Sequence, residues 1–485
     1  MTKQKPQLEW LFHPRSIAVV GSTRMDKATD KVPHSFFFTV SLRVMKYSGE
    51  IYVVSRSAES AASAASNAPG REKTYPSLLD IPGPVDHVIL CTPARAIPEV
   101  LADCVEKGVR SAGIFSSGFG ESEDTQGTRL QEEIVRIARK SGLRIIGPNC
   151  MGLYCPETGL NFRADLPNSP GMAGMLSQSG GMAIRTIFQG TEKGIGFSKV
   201  VSYGNESDLQ GWEILDYLAH DDATGLILVY IEGTRDGPAL VRALKEASRR
   251  KPVLVLKGGL SPQGSRAASS HTGAMAGSEP IWEAALRQTR THQVRDVSDL
   301  VDTAMTFYFL ERPAGRRIAL MCISGGLIVN YTDVAFRHGF EIPAFAQATK
   351  KALDRVINVP GTSCANPIDM ASLFFSNRVY APMFETLDKD PNTDLILFLI
   401  AMEYVRGLEY QYKVSVQRIV EAFLVILARV KKPLVVVIPP SVEEESRLAV
   451  ERAFLKAKIP TFLTMDGALR ALAARIGDPR ERAVG

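Results

Sequence analysis

Two stretches of this chain share one pattern: a short apolar run, a Ser-Gly-Gly turn, then an apolar run with helical spacing. The first is Met175-Leu176-Ser177-Gln178-Ser179-Gly180-Gly181-Met182, and the second is Met321-Cys322-Ile323-Ser324-Gly325-Gly326-Leu327. A strand that passes through glycines into a helix is the joint of a doubly wound α/β domain with a parallel sheet. The joint also constrains chemistry. A helix N-terminus preceded by glycines offers free N–H donors and a positive dipole end, which suits an anion. Serine adds a hydroxyl donor or a cap. Capping alone accounts for one such turn. Two matching turns favour a phosphate site built from Ser177, Gln178, Ser179, Gly180 and Gly181 together with Ser324, Gly325 and Gly326.

The whole chain of 485 residues repeats this alternation, and its length predicts two to four domains. In the first segment, strand-like runs at 16–20, 51–54, 87–91, 112–115 and 144–146 enclose helical patterns at 96–107 and 126–141. In the second, runs at 174–176, 199–202, 225–230 and 252–256 alternate with helices near 182–193, 209–219, 238–249 and 278–287. A third begins after the linker-like Glu311-Arg312-Pro313, with strands at 317–322, 395–400 and 434–438 and helices near 414–429 and 442–456. The expected domains are 1–148, 149–312 and 313–485.

In such domains ligands sit beyond the carboxyl ends of the strands. In the first segment those ends carry Gly21-Ser22-Thr23-Arg24, Thr92-Pro93 and Ser116-Ser117-Gly118, all small or polar apart from Arg24, as a nucleotide-like ligand needs. Gly21 is followed by Ser, Thr, Arg, Met and Asp, so the G-x-G-x-x-G fingerprint is missing, and Ser55-Arg56 stand where a ribose-binding acid would be. A nicotinamide-dependent dehydrogenase is therefore disfavoured.

Ala267 to Gly277 reads A-A-S-S-H-T-G-A-M-A-G, with no bulky side chain within three positions of His271. Taken alone this is a surface-loop histidine near a turn. Small neighbours also suit a ring that another molecule must approach closely, and imidazole can act as a nucleophile. Glu232 closes the apolar run 226–231. At a strand's carboxyl end it would point to the crevice and could hold one imidazole nitrogen, leaving the other free to attack. From this stretch alone a surface carboxylate or a helix cap accounts for it equally well. Lys257 could meet a phosphate or be solvated and carries no expectation, and Trp10, Trp212 and Trp282 read as packing anchors.

Composition excludes several classes. An apolar share of 45% and a charged share of 22% are those of soluble globular proteins. The net charge of +5 is scattered and makes no nucleic-acid stripe, though a polyanionic small ligand is compatible. No apolar run approaches the ~20 residues of a membrane span, and the N-terminus is not a signal peptide. The six cysteines show no metal-ligand spacing, so we expect buried thiols, no metal in this chain and a cytoplasmic location.

Taken in order, the motifs resemble those of a known family. They are Gly147-Pro148-Asn149-Cys150-Met151-Gly152, Leu176 to Gly181, Ser202-Tyr203-Gly204-Asn205, Tyr230-Ile231-Glu232-Gly233, Lys257-Gly258-Gly259, Ser270 to Gly277 and Asn366-Pro367-Ile368-Asp369. The chain is similar to the α subunit, or α-equivalent half, of the NDP-forming acyl-CoA synthetases, relatives of succinyl-CoA synthetase. The resemblance implies a Rossmann-like CoA-binding domain followed by two flavodoxin-like domains. It implies that His271 is a phosphohistidine, that Glu232 steadies it, and that the two Ser-Gly-Gly turns hold its phosphate. CoA contacts would fall on Gly21, Ser22, Thr23, Arg24, Arg56, Thr92, Pro93, Ser116, Ser117 and Gly118, and substrate contacts on Asn149 and Asn205. Two turns depart from the family: Gly21-Ser22-Thr23 replaces Gly-Ala-Ser, and Ser55-Arg56-Ser57 replaces a Val-Asn-Pro type. Ile184 stands where succinyl-CoA synthetase has a tyrosine, which argues against succinate.

The implied reaction joins a carboxylic acid to CoA through an acyl phosphate, with ATP becoming ADP and phosphate. All three segments are assigned to doubly wound domains and no Walker motif is present. ATP and Mg²⁺ are therefore expected on a separate ATP-grasp β subunit, in a heterotetramer. A CoA or acyl-CoA sensor that keeps the fold without catalysis is the alternative, and the intact His271 and Glu232 argue against it.

Overall fold

A computed structural model describes residues 8–22, 33–55, 73–122, 125–272, 277–371, 373, 377–405 and 416–478, with backbone alone at 269–272, 377, 416–419 and 422. The first sheet holds β1 (Ser16–Val20), β2 (Glu50–Val54), β3 (Lys73–Tyr75), β4 (His87–Leu90), β5 (Ser111–Ile114) and β6 (Arg144–Ile146). Its order is β3-β2-β1-β4-β5-β6 and every pairing is parallel. This is the doubly wound dinucleotide-fold order, whose ligand crevice opens where the winding reverses, between β1 and β4. Strands covered by helices on both faces read as unbroken apolar runs. The central β1 and β4 are buried throughout, and β1 needs only Ser16 as a polar member, whose hydroxyl donates to Pro84 O at 2.8 Å.

The second sheet comprises β7 (Gly152–Tyr154), β8 (Pro170–Ser177), β9 (Phe197–Ser202), β10 (Leu226–Ile231), β11 (Val253–Lys257) and β12 (His292–Val294), ordered β12-β11-β10-β8-β9-β7. Its edge strand β7 runs antiparallel to β9 and the rest are parallel. The third sheet, ordered β14-β13-β15-β16-β17, comprises β13 (Ile318–Cys322), β14 (Ile368–Asp369), β15 (Leu395–Leu399), β16 (Leu434–Val437) and β17 (Thr461–Phe462). Leaving out β7, both follow the 2-1-3-4-5 order of flavodoxin-like domains. The expected fold class is therefore what is found: a Rossmann-like sheet followed by two flavodoxin-like ones.

The chain divides into two compact units. One contains residues 1–188 and 196–297, with the first two sheets; the other contains residues 189–195 and 298–485, with the third. Within the first unit, the end of β6 is stitched to residues 203–213. Arg144 pairs with Asp208 at 3.1 Å and with Glu213 at 3.0 Å. Gly147 O accepts from the Ser207 N–H at 3.1 Å and from its hydroxyl at 2.8 Å, and Pro148 O accepts from Asn205 N at 3.0 Å. These bonds fix the connection that runs from the first sheet into the second. Among the described residues no helix is long and apolar enough to cross a membrane.

Candidate functional site

At the carboxyl ends of the first sheet, β1 leads into Gly21-Ser22, β4 into Cys91-Thr92-Pro93 and β5 into Phe115-Ser116-Ser117. Two cavities open there. One of about 300 Å³ is lined by Gly21, Ser22, Ser55, Leu78, Thr92 and Pro93. The other, about 590 Å³, also uses Thr92 and Pro93 and continues over Ser116, Ser117, Asn149 and the turn Gln178-Ser179-Gly180-Gly181. Thr92, Pro93, Ser116 and Ser117 thus line one cleft with Gln178 to Gly181 of the first expected phosphate turn, while Gly21 and Ser22 line the neighbouring cavity. Gly118 turns aside, its N–H donating to Glu121 Oε1 at 2.6 Å. Thr23, Arg24 and Arg56 lie outside the described residues. A larger cavity of about 650 Å³ borders Asp394 and Pro433, which immediately precede β15 and β16. That is the amino end of the third sheet, opposite to where such folds bind ligands.

The turn after β8 is rigid. Ser177 donates its hydroxyl to Ser179 O at 2.7 Å, and Ala183 N–H reaches Ser179 O at 3.1 Å to start the helix Gly180–Glu192. Its leading N–H groups have no intrahelical acceptor and face the cleft with the positive end of the dipole. Gln178 is only 2% exposed. Its Oε1 accepts from Glu232 N at 2.5 Å and Gly233 N at 2.9 Å, while its Nε2 is buried with no protein partner. A buried amide donor left open costs stability unless something fills it, and an anion in the turn would.

Glu232 is neither a surface carboxylate nor a helix cap. It is 6% exposed, its Oε1 accepts from the Tyr230 hydroxyl at 2.9 Å, and the following helix Gly237–Arg250 is capped by Asp236. On the neighbouring strand Lys257 pairs with Ile231 in register, and it is not solvated. Its ammonium donates to Glu232 O at 2.8 Å and to Gly258 O, and lies 4.9 Å from the centre of the Trp282 ring. Burial pushes its pKa down to about 8, while Glu232 pulls it back up. The missed signal was the placing of Lys257 and Glu232 at the closing ends of adjacent apolar strands.

His271 falls on the last turn of the helix Pro262–Thr272, three residues after Ala268. That helix is seated by a close backbone approach: a Cβ at Gly259 would stand 3.0 Å from Ala268 Cβ. The adjoining Gly258 lies against the Glu232 pair, since a Cβ there would stand 2.7 Å from Tyr230 Oη and 3.4 Å from Glu232 Cγ. Helix and carboxylate are thus both referenced to the loop after β11. The imidazole of His271 and residues 273–276 lie outside the described residues.

The second turn belongs to the other unit. Ser324 precedes the helix Gly325–Arg337, and Ile328 N–H reaches Ser324 O at 3.1 Å. Asp369 Oδ2 stands 2.8 Å from where a Cβ at Gly325 would be, so this helix start already has a carboxylate beside it. Asn149 lines the 590 Å³ cleft. Asn205 is not on that lining; its amide nitrogen donates to Gln131 Oε1 at 3.1 Å and to Glu121, and it braces the connection after β6.

Next to Asn205, sequence reasoning missed a second buried acid. Glu206 accepts from Gly211 N at 2.7 Å through Oε1, while Oε2 is buried with no protein partner. Burial pushes its pKa up to about 7. A carboxyl whose folded pKa is raised stabilises the fold below its unfolded pKa, and that contribution is lost as pH rises through the folded value. Between about pH 4.5 and 7 the wild type should therefore lose about 1–3 kcal/mol of stability through this group. Glu206→Gln should flatten that part of the curve, which melting temperatures from pH 5 to pH 8 will read; parallel wild-type and variant curves would remove Glu206 as the cause.

Comparison with known proteins gives concordant matches. Residues 15–156 match the family model described as a CoA binding domain, and residues 170–307 match the one described as succinyl-CoA ligase like flavodoxin domain. The chain is 33% identical over 402 residues to the α subunit of an ADP-forming acetate–CoA ligase II of Pyrococcus furiosus, covering 83% of this chain and 84% of that one. It is also 33% identical over 412 residues to the ADP-forming acetate–CoA ligase I of Archaeoglobus fulgidus, covering 83% of this chain but 56% of that one. Among solved structures, a dinucleotide-forming acetyl-coenzyme A synthetase 1 of Candidatus Korarchaeum cryptofilum, bound to phosphate and ADP, superposes with a TM-score of 0.81 at 27% identity over 98% of both chains.

Proposed function

The chain belongs to the ADP-forming acyl-CoA synthetases, on the side of their α subunits, and from that premise we propose how its own residues perform acid–thiol ligation. One observation carries the reading: the strand ends of the CoA-binding sheet and the helix start at Gln178 to Gly181 line a single cleft. Ligation needs a thiol, a carboxyl carbon and a phosphoryl group within bonding reach of one another. The pantetheine end of CoA enters past Thr92-Pro93 and Ser116-Ser117, and its nucleotide lies toward Gly21 and Ser22, with Thr23, Arg24 and Arg56 beyond. The phosphoryl group sits on the N–H groups of Gly180 and Gly181 beside Gln178, and Asn149 flanks the carboxylate.

In the synthetic direction, a carboxylate oxygen attacks the phosphorus of phospho-His271. The N–P bond breaks, an acyl phosphate forms, and the imidazole leaves with its electron pair. The CoA sulfur then attacks the acyl carbon, the C–O bond breaks with its electron pair going to the phosphate oxygen, and phosphate departs carrying the thiol proton. Glu232 orients the imidazole and stabilises its charged form. Lys257 holds the Glu232 backbone in place. Ser324, Gly325 and Gly326 are assigned as the second phosphate cradle and Asn205 as a support of the acid-binding connection. ATP and Mg²⁺ are assigned to an ATP-grasp β subunit. The domain limits are read as 1–148, 149–312 and 313–485, and the six free cysteines support a cytoplasmic location.

The half-reaction on this chain tests the proposal. Acetyl-CoA with labelled phosphate should leave an acid-labile, base-stable label on the protein, and leaving out the thioester should prevent it. Glu232→Gln should slow labelling by ~10²–10⁴-fold. Thioester-independent labelling would overturn the assignment of the cleft, and an unchanged rate in the variant would make Glu232 a bystander.

A further inference from the structure

Asn149, Cys150 and Met151, from the connection between β6 and β7, line the cleft together with the strand ends at Thr92 and Ser116 and the turn Gln178 to Gly181. Next to it lies a second void of only about 10 Å³, room for one water at most, walled mainly by apolar side chains such as Phe38, Ile89, Leu160 and Phe162, with the buried His87 and Asn161 as its polar members. Phe115, Cys150 and Met151 line both the cleft and the void, so they form the wall between them.

The three are not equally fixed. Phe115 is held by rings, with His34 at 4.7 Å and Phe38 at 5.4 Å between centroids. Cys150 is buried, and its thiol is directed at the carbonyls of Ile114 and Ile146 at 3.5 Å each. Met151 is tied only by its backbone, its N–H donating to Ser202 Oγ at 3.1 Å, and its unbranched side chain is partly exposed. That side chain lies directly against the start of the phosphate-binding helix, because a Cβ at Gly180 would collide with Met151 Cγ. A thioether with free rotamers fills irregular space and can be pushed aside or replaced.

We propose that Met151 sets the acyl-chain length this protein accepts, closing the cleft against the mainly apolar void beside it so that the group attached to the reacting carboxyl ends on its thioether. The inference rests on the ligase reading of the cleft. It makes the substrate a carboxylic acid with a short apolar acyl group, and it makes Met151 a specificity-determining residue rather than a catalytic one. An added methylene in a fitted apolar pocket changes selection by about 10- to 200-fold, so one side chain at this place is enough to rank acids.

The test uses the complete enzyme with its nucleotide-handling partner and measures kcat/KM for acetate, butyrate and hexanoate. Met151→Ala joins cleft and void, and should raise the hexanoate-to-acetate ratio by about tenfold or more. Met151→Phe narrows the same place and should lower the butyrate-to-acetate ratio. CoA affinity by calorimetry checks that the cleft is intact; if the alanine variant loses it, the phenylalanine variant carries the test alone. An unmoved ranking in variants that still bind CoA overturns the inference and leaves the ligase reading standing. A wild-type enzyme that forms acyl-CoA from no acid overturns the ligase reading and the inference with it.

Discussion

His271→Ala should abolish both the thioester-dependent phosphoryl label and net turnover, with a loss of at least ~10⁴-fold. The size follows from chemistry. Alanine has no lone pair, so the phosphoryl group has no acceptor on this chain, whatever the remaining cleft does for binding. His271 sits on the last turn of the helix Pro262–Thr272, which is seated three residues earlier by Ala268 against Gly259. Alanine is the residue a helix tolerates best. CoA affinity and melting temperature should therefore stay at wild-type values while label and turnover vanish together. A variant that keeps the label places the nucleophile elsewhere. One that keeps turnover but loses the label means that phosphate passes directly between acid and nucleotide.

Among the strands, the long ones were legible and, β6 apart, the short ones were not, for a physical reason, while several helices, such as His34–Val44 and Val297–Phe309, went unanticipated. Every strand of four or more residues was anticipated within a few residues of its ends, because a strand buried on both faces must be a continuous apolar run. The strands missed were β3, β7, β12, β14 and β17, each two or three residues long and each at the edge of its sheet. A run that short shows no periodicity, and an edge strand covered on one side needs no apolar run. The site divides in the same way. Residues that line the cleft at a strand end, such as Gly180 and Thr92, announce themselves by small side chains after an apolar run. Those that act through tertiary partners do not. Gln178 was recognised as part of a turn, but its grip on Glu232 N and Gly233 N crosses more than fifty residues. Lys257 carried no expectation and Glu206 went unremarked, because nothing in their own stretches says that they are buried. Asn205 was expected near the substrate through its motif, and what its neighbours occupy with it is a brace.

This chain, purified alone, should form no ADP from acid, CoA and ATP above the enzyme-free control, while still accepting label from phosphate and acetyl-CoA. The pair of results separates an incomplete enzyme from a dead one. ADP formation requires a site that holds the nucleotide's terminal phosphates and a metal. Among the described residues no group of histidine, cysteine, aspartate and glutamate could hold a metal ion, and no glycine-lysine phosphate loop of the Walker type occurs in the sequence. All three sheets are of doubly wound order, and the cleft of the first unit is the one we assign to CoA, acid and phosphate. The relative named as an α subunit is matched over most of its length. An ATP-grasp partner added in equal amount should restore ADP formation, and should do so only with His271 in place if, as we propose, the phosphoryl group travels on the imidazole between the two sites. Robust ADP formation by the pure single chain would put the nucleotide on this chain and remove the need for a β subunit. Restoration with His271→Ala would show that the partner phosphorylates the acid itself, leaving this chain only the thiol transfer.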